Sequence, residues 1–274
     1  SDPQKKLNLP YDVPANEFLN LEGDKISGSR SWAVWGLDFL SRYDPDALRY
    51  YLTAIMPETR DAEWEWAGFV QHNNDELVAT WGNLANRVLT FAYRHWAGRV
   101  PEPGDLRPQD RELIAKIEGG FKSVGDLLGT VKLRAALNET VSLATEANRY
   151  LDARGPWFEI KKDKAEAAKT VYTALRVIDS LKTLFAPFLP FTSEKLHGYL
   201  GYDGRLFGTQ KIATYTESAR SHDALIYDPA GSTGRWAPSN LQPGQQLREP
   251  APLFRKLEAK VVEEERARLG IKDA

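Results

Sequence analysis

Between Lys25 and Arg30 the run DKISGSR sets an ammonium, two hydroxyls (Ser27 and Ser29), a flexible glycine (Gly28) and a guanidinium in close succession. Such a set can surround a polyphosphate, because cations and hydroxyl donors offset the negative charge that spreads over the phosphates during transfer. Short K-x-S-x-S strings also arise by chance in surface loops, so taken alone the string reads as a solvated turn. A second set lies in WGNLANRVLTF, where Asn83 and Arg87 stand four apart. On a helix that spacing puts an amide and a guanidinium one turn apart, able to address the Watson-Crick edges of unstacked bases. The plainer reading is a polar helix face turned to solvent. Trp157 follows Gly155-Pro156 at the end of EANRYLDARGPWFEIKKD, with Arg154, Lys161, Lys162 and Lys164 around it. A Trp held at a proline corner can stack on an extruded base while basic neighbours hold phosphates, although Trp is more often a core residue.

These residues need positioning elements. The loop at Lys25 falls between a short extended segment around Phe18–Leu21, expected to form a local hairpin, and the helix that follows. Asp44 caps a helix that starts at Pro45 and runs to Ile55 before Pro57. From Trp66 to Trp96 the apolar residues Leu77, Trp81, Leu84, Val88 and Phe91 recur at helical steps, with Asn83, Arg87, Thr90 and Arg94 on the flank. Pro108 opens another helix, expected to be interrupted at Gly125 and Gly129. Two more are read over 131–153 and 163–185, the last with Val171, Leu175, Ile178 and Leu181 inside. A short helix reaches Leu200. Residues 201–250, rich in Gly, Pro and Ser, read as irregular cover, and 253–269 as an amphipathic helix bearing Leu253, Leu257, Val261 and Leu269.

Composition narrows the classes. At 274 residues with 42% hydrophobic content, the chain can bury a sizeable core, which argues against disorder. A formal net charge of -2 confines any nucleic-acid surface to a local patch. No run is apolar enough to cross a bilayer and the first residues hold no signal-peptide core, so a cytoplasmic location and no membrane partner are expected. Without cysteine there are no disulfides or thiolate metal sites, and with only His72, His95, His197 and His222 no zinc or other metal is expected in this chain.

The run PANEFLNLEGDKISGSR closely resembles the KMSKS segment of class I aminoacyl-tRNA synthetases, and specifically of the methionyl-tRNA synthetase family, including the Ala-Val-Trp that follows. WGNLANRVLTF resembles that family's Asn-Leu-x-x-Arg helix, and A-N-x-Y-[IL]-x-x-x-x-P-W its second anticodon element. The resemblance implies that Lys25, Ser27 and Ser29 serve catalysis by closing on the ATP phosphates, and that Asn83, Arg87, Pro156 and Trp157 bind the anticodon. Gly28 stands where a second lysine is usual, and Arg30 is expected to supply part of the missing charge. Asn148 and Arg149 lie within the second element without an assigned role. The implied fold is an all-α anticodon-binding helical bundle of class Ia synthetases, preceded by a small mixed α/β KMSKS or stem-contact segment. Its divisions are 1–62 for that segment, 63–203 for the bundle, and 204–274 for an irregular extension and C-terminal helix. The implied parent enzyme is a methionine-tRNA ligase that uses ATP with Mg2+ and binds the tRNA(Met) anticodon stem-loop. This chain lacks the H-x-G-H signature, so it is read as a C-terminal fragment whose partner is its own N-terminal catalytic domain, neither catalytic alone nor binding ATP. Alternatives are the equivalent part of another class Ia synthetase, or a stand-alone helical RNA-binding module. Both Asn83/Arg87 and Pro156-Trp157 would be out of place in the first, and a KMSKS loop in the second.

Overall fold

A computed structural model describes residues 9–270. The first eight residues of the segment read as extended, and residues 271–274, lie outside them. Strand β1 (Leu19–Leu21) does not form a local hairpin: it pairs in parallel with β2 (Ala62–Trp64), Leu19 opposite Ala62 and Leu21 opposite Trp64. A tight turn through Glu22 and Gly23, both with positive φ, folds Asp24 back onto Leu21 instead of extending a second strand. Between the strands lie α1 (Gly36–Leu40) and α2 (Pro45–Ala54). The expected cap is present, since the Asp44 carboxylate accepts the Asp46 amide at 2.8 Å and Pro45 opens the helix. Phe39 is fully buried at the centre of an aromatic cluster, with Tyr43, Trp64, Trp66 and Phe69 centroids within 6.0 Å. That cluster gives the small sheet and its loop a floor.

The long helix read from Trp66 to Trp96 is continuous but not uniform. It comprises α3 (Trp66–Gln71), a π-helical segment (His72–Gly82) and α4 (Asn83–His95). Widening of the coil is visible at Thr80, whose hydroxyl donates to the Asp75 carbonyl five residues back. The amide of Asn148 donates to the Thr80 carbonyl at 3.3 Å, which gives that side chain a bracing contact. Leu77, Trp81, Leu84 and Val88 are buried as their spacing predicts.

The bundle continues with α5 (Pro108–Gly129), α6 (Leu133–Arg154), the single turn α7 (Pro156–Glu159), α8 (Lys164–Phe185) and α9 (Pro190–Tyr199). Helix α8 is central: Leu175, Ile178, Leu181 and Leu184 are fully buried between α4, α5 and α6. Gly125 does not interrupt α5. It makes room for Trp236, whose indole nitrogen would lie 3.1 Å from a Cβ there and which donates to the Phe121 carbonyl.

Residues 201–250 are not wholly irregular. They contain an antiparallel hairpin, β3 (Thr209–Thr216) with β4 (Ser221–Asp228), in register from Thr209↔Asp228 to Thr216↔Ser221. The expected amphipathic helix over 253–269 is also corrected. Leu253 and Leu257 are buried from an extended strap, and only α10 (Lys260–Arg266) is helical. The strap is held by the π segment: Asn73 donates to the Arg255 carbonyl, and Asn74 exchanges hydrogen bonds with the Leu257 backbone. Beyond it the buried Glu265 meets Arg42 and Tyr43, Arg266 pairs with Glu22, and the Gly270 amide donates to the Ser31 carbonyl. One hydrophobic cluster runs from Leu21 through the bundle to Val261.

Candidate nucleic-acid interface

Gly155 adopts φ 51°, ending α6 in a left-handed turn, and Pro156 starts α7 at once. The two fix where Trp157 emerges. Arg107 braces that corner from behind: its guanidinium contacts Asp110 at 2.9 Å, Thr170 at 2.7 Å and Glu159 at 3.4 Å. Burial pushes the Asp110 carboxyl up, but hydrogen bonds from Arg107 and Tyr150 outweigh it and hold the group below the usual range. The turn carrying Trp157 is therefore tied to α5, α6 and α8.

Trp157 is half-buried, packed edge-on to Phe91 at 6.3 Å, and the Arg87 guanidinium carbon lies 4.2 Å from its ring centroid. Arg87 remains one-third exposed and faces Asp152 across 3.7 Å. Asn83 sits one turn earlier on α4, exposed, and its amide makes no hydrogen bond among the described residues. The structure thus brings together Asn83, Arg87, Pro156 and Trp157 from two helices far apart in sequence. A planar cation stacked on an indole is oriented before any ligand arrives, and here it keeps a third of its surface open to solvent. Lys161, Lys162 and Lys164 are exposed nearby, and Lys164 also reaches over Trp96. Arg154 is turned toward Glu159, at 3.4 Å, and Arg149 toward Glu146.

The phosphate-type loop is built differently. Ser27 and Trp32 exchange backbone hydrogen bonds, closing a turn around Gly28, and the Ser27 and Ser29 hydroxyls lie 3.2 Å apart. The Trp32 indole is buried and donates to the Leu21 carbonyl, which fastens the loop to β1. Lys25 is exposed. The Arg30 guanidinium faces Asp24 at 3.1 Å and donates to the Lys25 carbonyl. In this posture it braces the loop.

A third cluster, unforeseen in the sequence, borders a cavity of about 430 Å³ between α8, α9 and the segment after Tyr202. Lys182 donates to Asp179 at 2.5 Å and lies 3.3 Å from His197 Nδ1. An ammonium has donors only, so Nδ1 accepts and Nε2–H donates to the Thr233 hydroxyl, which donates to the Arg205 carbonyl. Burial, and then the Lys182 charge, push His197 down to about 4. Tyr202 stacks on His197 and donates to Asp179 at 2.6 Å.

Among the described residues no group of three acidic, His or Cys side chains is placed to hold a metal, and no helix is long and apolar enough to cross a membrane. Residues 2–89 match the family tRNA synthetases class I (M), and residues 100–226 match the anticodon binding domain of methionyl tRNA ligase. The methionine–tRNA ligase of Thermomicrobium roseum is 58% identical over 267 residues, 97% of this chain and 46% of that protein. That of Chloroflexus aurantiacus is 52% identical over 264 residues, 96% of this chain and 44% of its own. The chain spans about half the length of the curated relatives it matches. In fold it is similar to the apo methionyl-tRNA synthetase of Mycobacterium tuberculosis, with a TM-score of 0.70, 23% identity, and coverage of 92% of this chain and 45% of that one.

Proposed function

Because the chain belongs to the methionyl-tRNA synthetase family, we propose that its bundle reads unstacked anticodon nucleotides of tRNA(Met) through Asn83, Arg87, Pro156 and Trp157. Its turn at Lys25, Ser27 and Ser29 serves the ATP phosphates of a methionine-tRNA ligase. The observation that carries this reading is the Arg87 guanidinium stacked 4.2 Å over Trp157. The exposed Asn83 amide stands one turn away. An indole offers a stacking platform, and the amide and guanidinium offer the complementary donors and acceptor that a base edge needs. Base recognition is the chemistry that uses all three.

The Lys25 loop supports the second half of the reading, since an exposed ammonium and two adjacent hydroxyls on a turn can swing onto phosphates as they separate. The chemistry would be methionine and ATP giving methionyl-adenylate, then transfer to the terminal ribose of the tRNA. The HIGH-bearing catalytic half that performs it is the natural partner of this loop, and both are soluble cytoplasmic components. Titration of a labelled anticodon stem-loop tests the reading. A CAU loop binds more tightly than a scrambled one, with an affinity that falls as salt rises. Equal binding of the two loops would remove base reading from the assignment.

A further inference from the structure

Asn83 also lines a cleft of about 370 Å³. It is lined by Val78 and Ala79 of the π segment, Asn83 and Asn86 of α4, and Pro252 and Phe254 of the strap. Gly82 is the reason that Phe254 comes so close: a Cβ there would stand 2.9 Å from the Phe254 ring and 2.8 Å from the Leu77 carbonyl. A glycine inside a helix costs about 1 kcal/mol relative to alanine, so its presence marks a close approach. The π segment thus supplies Val78 and Ala79 to the same cleft. The polar capacity of the rim is unspent. Asn83 has no side-chain partner among the described residues, and Asn86 has only a long contact, 3.5 Å, from the Thr90 hydroxyl.

We infer that this cleft takes a second unstacked nucleotide of the same RNA strand, its base against Phe254 and Pro252 and its edge toward Asn86. A ring wall on one side and amide donors and acceptors on the other match the flat face and polar edge of a nucleobase. The cleft carries no cation, as a base pocket can and a phosphate pocket cannot. Asn83 lines the cleft and stands one helical turn before Arg87, whose guanidinium lies over Trp157, so two neighbouring nucleotides would share that amide between them. This inference rests on the reading of the bundle as an anticodon binder.

The test uses the whole 274-residue chain and stem-loops in which each anticodon nucleotide in turn is abasic. Phe254→Ala and Asn86→Ala each weaken binding of the intact loop, Phe254→Ala by about tenfold. Ala79→Phe, at an exposed position, plugs the cleft and weakens binding with the fold intact. The loss from Phe254→Ala disappears on one abasic loop, on which Trp157→Ala still weakens binding. If the two losses disappear at the same nucleotide, there is one base site and the inference is overturned. It is equally overturned if all three cleft variants bind like the parent while Trp157→Ala does not. Silence of Trp157→Ala and Asn83→Ala as well would bring down the anticodon reading and the cleft together.

Discussion

The Asn83–Arg87–Trp157 face and the Asp179–Lys182–His197 cluster hold similar inventories: a cation, an aromatic ring, an amide or imidazole, and a cavity beside them. They differ in what the groups are doing. In the cluster, Lys182 is spent on Asp179 and His197, His197 on Thr233, and Tyr202 on Asp179. At the face, Asn83 is unspent and Arg87 is oriented by a ring rather than consumed by a close carboxylate. The larger cavity therefore belongs to a closed network that fastens the segment after Tyr202, and the smaller one to groups left open. Unspent hydrogen-bonding capacity, not cavity size or residue type, distinguishes a binding surface from a structural joint.

The largest effect expected from this contrast is on the closed side. Lys182→Ala strands the buried Asp179 carboxylate and lowers stability by about 3–5 kcal/mol in urea unfolding, with stem-loop affinity unchanged wherever the chain remains folded. A fall in affinity without a fall in stability would reverse the two assignments. Next comes Trp157→Ala, which costs about 1–3 kcal/mol of stem-loop binding by anisotropy and leaves thermal unfolding far less altered than Lys182→Ala does. The His197 contribution has a defined sign. Its folded pKa of about 4 lies below the ordinary 6.5, so between these values the unfolded chain binds more protons and stability rises with pH. Stability is full above pH 6.5 and declines toward pH 4 by roughly 1–3 kcal/mol, a slope that His197→Gln removes in unfolding series across that window. The smallest effect is at Lys25. Lys25→Ala leaves both stability and stem-loop binding within about 0.5 kcal/mol of the parent, because the side chain is exposed; the proposed phosphate role predicts a loss confined to pyrophosphate exchange, measured with the loop carried in a full-length methionine–tRNA ligase.

Elements with local signals were legible in advance. Asp44-Pro45 and Asp163 mark helix starts through chemistry confined to a few residues: Asp44 caps as read, and the Asp163 carboxylate accepts from the Ala165 and Glu166 amides at the start of the helix read from that residue. Elements defined by distant partners were not. Strand β1 is three residues long and its partner lies beyond two helices, so nothing near Leu19 specifies it. The hairpin escaped because both strands are largely exposed: Ile212 and Leu225 pair on an open face, and no alternation of buried and solvated residues marks the sequence. Leu253, Leu257 and Val261 are four apart and mimic a helix stripe, although the first two are buried by an extended segment. The π winding is hidden because only the step of four from Leu77 to Trp81 lies inside it, and that step suits either coil.

For the interface, spacing placed Asn83 and Arg87 on one flank, while the resemblance, rather than the residues themselves, joined them to Trp157. The stack of Arg87 on that ring depends on the Gly155-Pro156 corner and on Arg107 behind it, a relation across three helices. Asn86 and the Pro252–Phe254 wall went unnoticed. The available signal was Gly82, an otherwise unfavourable residue inside a strongly helical run.

The strap has a consequence for the order of assembly. Its contacts join residues as much as 244 apart, Arg266 with Glu22, while Asn73 waits for Arg255 across 182. Such closures come late, because the intervening chain must first be made and compacted. During synthesis the Lys25 turn and the flank of Gly82 are made well before residues 252–270, so Ser31 and Gly82 acquire their settled neighbours only when that strap follows. One late closure thus completes both the turn and the cleft.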